Sequence, residues 1–152
     1  KGAAIGGVAG AATIAAIVAF IGPWEGRRYT AYQDIVGVWT ICEGHTKGVK
    51  AGDVATDAQC DEMAAQDVAE HNAGIRACIT RPMPQNVEIA FTSLAFNAGV
   101  GAFCGSTALR RYNAGDDTGA CDALNMWVRA GGKVVKGLVN RRAAESALCK
   151  KD

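Results

Sequence analysis

The sequence predicts an α+β fold in which a small β-hairpin lobe and a mostly helical lobe are joined by a long helix. Three observations carry that expectation. Residues 29–42 have strand character around a turn glycine, Gly37, and no comparable stretch follows. Thr56 followed three residues later by Gln59 is a capping box, opening a helical pattern that runs to about residue 79. Beyond it, helical patterns alternate with Pro and Gly breaks to the end of the chain.

At 152 residues the chain suits one domain with a sizeable core. Its 49% hydrophobic and 20% charged residues are those of a folded protein, which excludes a disordered chain. A net charge of +1 and the lack of any Lys/Arg run leave no basis for a nucleic-acid partner. Six cysteines at 42, 60, 78, 104, 121 and 149 are widely spaced, with no CxxC pair. Zinc sites need ligands clustered in sequence, so no metal is expected. The even count points to three disulfides in an oxidising compartment, with six buried reduced thiols as the alternative.

Residues 2–22 carry no charge and are dominated by Gly and Ala. As one helix they would span a hydrocarbon core of about 30 Å, inserting weakly because small residues contribute little transfer free energy. Lys1 supplies one positive charge at the flank. A cleaved signal peptide needs a better cleavage site, and a permanent anchor more Leu, Ile and Phe. We therefore expect a segment, residues 1–22, that is poised between membrane and protein, exported in the bilayer and later released. Residues 23–152 are the expected folded domain. Gly2, Gly6 and Gly10 offer a small-residue helix stripe. Pro23 is expected to interrupt a helix ending near Ile21, or to open a new one.

Strands are expected at 29–33 and 38–42, followed by a loop at 47–54. The long helix follows, stopped before Arg81-Pro82-Met83-Pro84. A helix over 85–97 carries Val87, Ala90, Phe91, Leu94 and Ala95 on one face, with Gly99 and Gly101 beyond it. Ser106 caps a short helix to Tyr112. A further helix is expected over 117–130 with Leu124 and Trp127 inward, then a glycine loop at Gly131-Gly132 and a last helix over 138–150.

The chemistry concentrates in residues 24–46. Glu25 and Asp34 lie nine residues apart, Thr40 six further on, and a Gly44-His45 pair follows. Two acids separated by a hairpin are what glycosidic cleavage asks for: one protonates the leaving oxygen, the other positions or activates the attacking group. Read singly, Asp34 is a turn residue and Thr40 a cross-strand hydroxyl.

Together, E-x8-D-x5-T and the Gly-His pair resemble the catalytic pattern of phage-type lysozymes, glycoside hydrolase family 24. Gln66-Asp67-Val68, Phe96-Asn97-Ala98-Gly99, residues 106–113, Trp127 and Asn140-Arg141 follow that family's order, so the resemblance covers 24–149. It implies a lysozyme-like fold, no cofactor, and a muramidase acting on peptidoglycan glycan strands. The bond cut would be the β-1,4 link between N-acetylmuramic acid and N-acetylglucosamine. Glu25 would be the general acid with Arg141 against it, and Asp34 would position water with the hydroxyl of Thr40, giving inversion. His45 and Asp67 would pair to tie the hairpin to the long helix. Asn97 would bind sugar hydroxyls or the peptide stem, with helix-end bonding as the other account; Trp39 and Trp127 are core or sugar-stacking residues.

The apolar N-terminus and the cysteines are similar to the signal-anchor-release endolysins of lambdoid phages. That likeness implies a periplasmic enzyme, first tethered to the inner membrane through residues 2–22 and monomeric once released. A thiol switch is closed to it, because Asp34 holds the second catalytic position and residues 2–22 contain no cysteine. The expected disulfides are Cys42–Cys60, joining hairpin to long helix, Cys121–Cys149, joining two C-terminal helices, and Cys78–Cys104 from the remaining pair. The competing readings are a lytic transglycosylase or chitinase on the same scaffold, and a catalytically inactive wall-binding protein.

Overall fold

The computed structural model describes residues 2–151; Lys1 and Asp152, and with them the flanking charge of Lys1, lie outside the described residues. Residues 2–10 form no helix and run along the body. Helix α1 (Ala11–Glu25) follows, then the antiparallel hairpin β1 (Arg28–Gln33) and β2 (Trp39–Cys42). The long helix α2 (Asp57–Arg76) leads to α3 (Gln85–Ala98), α4 (Val100–Cys104), α5 (Thr107–Asn113) and α6 (Asp117–Ala123). A second small hairpin, β3 (Arg129–Ala130) and β4 (Lys133–Val134), precedes α7 (Lys136–Cys149).

Helix α1 departs from the sequence expectation at both ends. It begins at Ala11 rather than near Gly2, and it runs through Pro23 to Glu25. The proline removes one backbone donor and crowds the preceding turn, but only the last turn of α1 bears that cost. Tertiary burial offsets it: Ile17 and Ile21, one turn apart, are fully buried against Val68 of α2 and Ile89 of α3. At about 1.5 Å per residue the helix is about 22 Å long. No helix among the described residues is long and apolar enough to cross a membrane.

The preceding residues are held by backbone bonds. Ile5 N–H donates to Ile79 O at 2.7 Å and Gly6 N–H to Arg76 O at 3.0 Å. Ala9 N–H donates to Asn72 Oδ1 at 2.7 Å. Asn72 in turn donates to Glu88 Oε2 (2.7 Å) and Thr92 Oγ1 (3.3 Å), and Arg76 closes the network on both oxygens of Glu88. Gly6 and Gly7 take φ of 67° and 68°, successive left-handed residues that only glycine adopts readily. The stripe of Gly2, Gly6 and Gly10 is therefore not displayed on a helix.

Helix α3 is the centre of the body. Residues 87–95 are all buried, where the sequence suggested a single apolar face. Phe91 meets Phe103 at 5.0 Å and, edge-on, Tyr112 at 5.3 Å between ring centroids. The polar members Glu88, Thr92 and Ser93 are tolerated because each has a hydrogen-bond partner. The capping box at Thr56 forms as read, and Ser106 accepts from Leu109 N–H to start α5. Gly99, at φ 107°, ends α3, but Gly101 lies inside α4. The helix expected over 117–130 stops at Ala123 and passes through a short 3-10 turn to Met126. Gly131 and Gly132 then form the tip of the β3–β4 hairpin, both at positive φ. Glycine pairs of that kind suit a two-residue hairpin loop.

All six cysteines are paired, Cys42–Cys60, Cys78–Cys104 and Cys121–Cys149, with Cα separations of 5.2, 5.9 and 5.6 Å. The first fastens the hairpin to α2 and the third fastens α6 to α7.

Asn72→Ala tests the docking of the N-terminal segment. It strands the buried Ala9 donor, while Glu88 keeps Arg76 on both oxygens, and should lower the free energy of unfolding by about 1–3 kcal/mol. Proteolysis within residues 2–10 should accelerate in the same variant; unchanged cleavage and stability would show that the bond contributes nothing.

Candidate active site

Glu25 is the last residue of α1. A helix C-terminus carries partial negative charge, so a carboxylate there needs a cation close by. Arg141 of α7 supplies it, Nη1 donating to Glu25 Oε2 across 116 residues of chain. Glu25 keeps about a fifth of its side chain exposed, whereas Arg141 keeps 3%. The acid therefore faces solvent from a buried support.

That support continues inward. Arg141 Nε donates to Glu145 Oε2 at 3.3 Å, and Nη2 donates to Ser93 O and Oγ, each at 3.3 Å. Ser93 Oγ donates to Glu145 Oε2 at 2.5 Å, and Arg142 Nη2 donates to the same oxygen at 3.1 Å. Arg142 Nε faces Glu145 Oε1 at 2.8 Å, out of line for a hydrogen bond. Arg142 and Glu145 are fully buried. Burial pushes the Glu145 carboxyl above its ordinary range against the pull of Arg142, and burial lowers the Arg142 guanidinium.

In front of Glu25 lies a cleft of about 360 Å³, walled by Glu43, Asp67, Glu70, His71 and Phe96 among others. Lys47 forms an ion pair with Glu70 at its rim and holds that carboxyl below its usual range. His45 is buried, with Nδ1 2.8 Å from Asp67 Oδ2 and Nε2 3.1 Å from Lys47 O. The hairpin is thus tied to α2 by the His45–Asp67 contact, by Cys42–Cys60, and by Arg27. The Arg27 guanidinium reaches Glu43 (2.7 Å), Asp57 (3.1 Å) and Asp61 (2.8 Å).

Asp34 stands apart from the cleft lining, at the tip of the β1–β2 hairpin. Its Oδ1 accepts from Val36 and Val38 N–H, both at 2.9 Å, across a turn that places Gly37 at φ 84°. Oδ2 carries no such bond among the described residues, which leaves it able to accept from a water. Thr40 is buried opposite Tyr32, its hydroxyl donating to Val38 O at 2.9 Å, so the oxygen can still accept. Asn97 lies at the end of α3 in a separate hollow of about 250 Å³ with Trp127, Arg129 and Arg142. Of the residues singled out in the sequence, Glu25 meets Arg141, His45 meets Asp67, and Glu25 and Asp67 line one cleft; Asp34 with Thr40, and Asn97, lie outside that lining.

Sequence reasoning did not find Ser93, Glu145, Glu43 or Arg27. The spacing of Arg141 and Glu145, four residues apart, was a readable signal of a helical ion pair, though not of its burial.

The Phage lysozyme family matches residues 22–145. A SAR-endolysin of Enterobacteria phage P21 is 44% identical over 153 residues, which cover 97% of this chain and 91% of that one. The crystal structure of a point mutant of P22 lysozyme superposes with a TM-score of 0.82 at 34% identity, covering 90% of this chain and 96% of that one. The active form of P1 phage endolysin Lyz gives a TM-score of 0.78 at 27% identity (95% of each chain). Its secreted inactive form gives 0.56 at 24% (92% and 94%).

Asp67→Ala should lower the unfolding free energy by about 1–3 kcal/mol by stranding the buried ring nitrogen of His45. Denaturant titration gives the number, and a value within error of the parent chain would mean the contact is not a tie.

Proposed function

This chain belongs to the phage lysozyme family, a glycoside hydrolase with lytic action on the cell wall, and on that premise we propose that it cuts peptidoglycan by inverting hydrolysis with Glu25 as the acid. The bond is the β-1,4 link between N-acetylmuramic acid and N-acetylglucosamine. The observation that carries the reading is Glu25 at the mouth of the cleft, fixed from behind by a buried arginine. Glu25 gives its proton to the glycosidic oxygen as the C–O bond breaks. Asp34, its Oδ1 fixed by the turn, uses Oδ2 with the oxygen of Thr40 to orient water on the opposite face of the sugar, and Oδ2 takes the water's proton as the water oxygen bonds to the anomeric carbon. Inversion needs a gap of about 6.5–9.5 Å between the carboxyls to admit that water. Asn97, in its hollow, binds the sugar or the peptide stem.

The same chain segment decides when Glu25 is in place. Residues 2–22 insert in the inner membrane on export, and on release residues 2–10 lie along α2 while 11–25 form α1. The enzyme then acts in the periplasm as a monomer. Three facts support this: the uncharged composition of the segment, the 44% identity to a SAR-endolysin, and the closer likeness to the active than to the secreted inactive form of the P1 enzyme.

One observation favours a second reading. Asp34 and Thr40 do not line the cleft with Glu25, and a lytic transglycosylase needs no water-positioning aspartate.

Glu25→Gln should leave the fold intact and reduce the clearing of peptidoglycan suspensions by about 100-fold or more; unchanged clearing would remove Glu25 as the acid, and no clearing by the parent chain would leave only a wall-binding protein. Asp34→Asn separates the two enzyme readings. Loss of activity, with new reducing ends as the parent product, fits hydrolysis, whereas retained activity with anhydro ends fits the transglycosylase. A chain beginning at Pro23 should form its disulfides yet clear poorly, because Pro23 and Trp24 alone cannot sustain a helical turn before Glu25. Full activity from that chain would make residues 1–22 an anchor only.

A further inference from the structure

We propose that Glu145 is a positioning residue, holding Arg141 at the one orientation that keeps the Glu25 carboxyl aimed into the cleft. The inference rests on Glu25 being the acid. Arg141 carries a planar guanidinium whose donors have fixed directions relative to one another. Nε is committed to Glu145 Oε2, and Nη2 to the carbonyl and hydroxyl of Ser93. With these two nitrogens fixed, the plane has no freedom left, and Nη1 points at Glu25 Oε2. Glu145 Oε2 is the common acceptor, receiving Ser93 Oγ–H, Arg141 Nε–H and Arg142 Nη2–H together.

A second effect acts through charge. Arg141 and Arg142 are adjacent on α7 and both buried. The charged groups facing this cluster are Glu25 from α1 and Glu145 from α7, while α3 contributes only the neutral Ser93. Glu145 balances the second guanidinium, so Glu25 experiences the field of one arginine rather than two. A carboxylate buried without a job is costly, and satisfying Arg142 alone accounts for neither the bond to Arg141 nor the serine shared between them.

The test is a double-mutant cycle on the full chain, following release of reducing ends from purified peptidoglycan. Glu145→Gln keeps the shape and removes the charge. It should lower kcat by about 10- to 100-fold with KM changed less than about twofold, the penalty of a misaimed catalytic group. In an Arg141→Ala background the same substitution should change kcat by less than about twofold, since residues acting through one another are not additive. Equal losses in both backgrounds, or an unchanged kcat in the parent, overturn the proposal. If Glu145→Gln does not fold, Ser93→Ala replaces it, with a kcat loss of about 3- to 10-fold and the same non-additivity expected, and additivity overturning the proposal. Glu25→Gln, run in parallel, separates the two claims: its inactivity beside a fully active Glu145→Gln removes the positioning role alone, whereas its activity removes the acid itself.

Discussion

A carboxylate at the C-terminal end of a helix is in the wrong field unless a cation reaches it, and the contact between Glu25 and Arg141 is where this molecule meets that constraint. Most of the architecture can be traced from it. Arg141 is buried, so it needs Glu145 and Ser93, which places α7 against α3. Glu25 needs α1 to extend unbroken through Pro23, which requires Ile17 and Ile21 to be locked against α2 and α3. The two partners come from opposite ends of the chain. No local segment can assemble this site, and the central helix α3 serves as the surface on which both ends are registered.

Much of the fold was legible because its punctuation is local. Thr56 and Gln59 announce a helix by satisfying each other's backbone groups, Ser106 does the same alone, and Pro84 ends any ambiguity before α3. Elements that depended on distant packing were misread. Pro23 reads as a stop after Ile21 or as the start of a new helix until the burial of Ile17 and Ile21 is known. Residues 124–130 read as the end of a helix and Gly131-Gly132 as a loop, but the two glycines adopt left-handed geometry at the tip of a hairpin that takes in residues 129–134. Residues 2–10, apolar enough to suggest a helix, are held in a non-helical path by Asn72 and the carbonyls of Arg76 and Ile79, which offer bonds that only the folded body presents.

The site divides along the same line. Glu25, Asp34 and Thr40 were singled out by their spacing in the chain, whereas the His45–Asp67 contact, which joins the hairpin region to α2, was read through family resemblance. Arg141 was legible only through family resemblance, 116 residues away. Glu145 and Ser93 were not found, because burial turns an ordinary helical spacing into a structural necessity, and burial is a property of the whole fold.

The paired glycines near the N-terminus bear on how such a chain can evolve. A side chain at Gly6 or Gly7 would meet no neighbour within 4 Å, so space does not forbid one. The left-handed backbone does, at about 1–2 kcal/mol for each residue. On the proposed release, a leucine at either position would also favour the bilayer, by about 0.3–0.6 kcal/mol. Both effects push the same way, toward the tethered form. A single substitution at either glycine therefore acts twice on one balance, and mutational drift there would retime lysis without touching the chemistry.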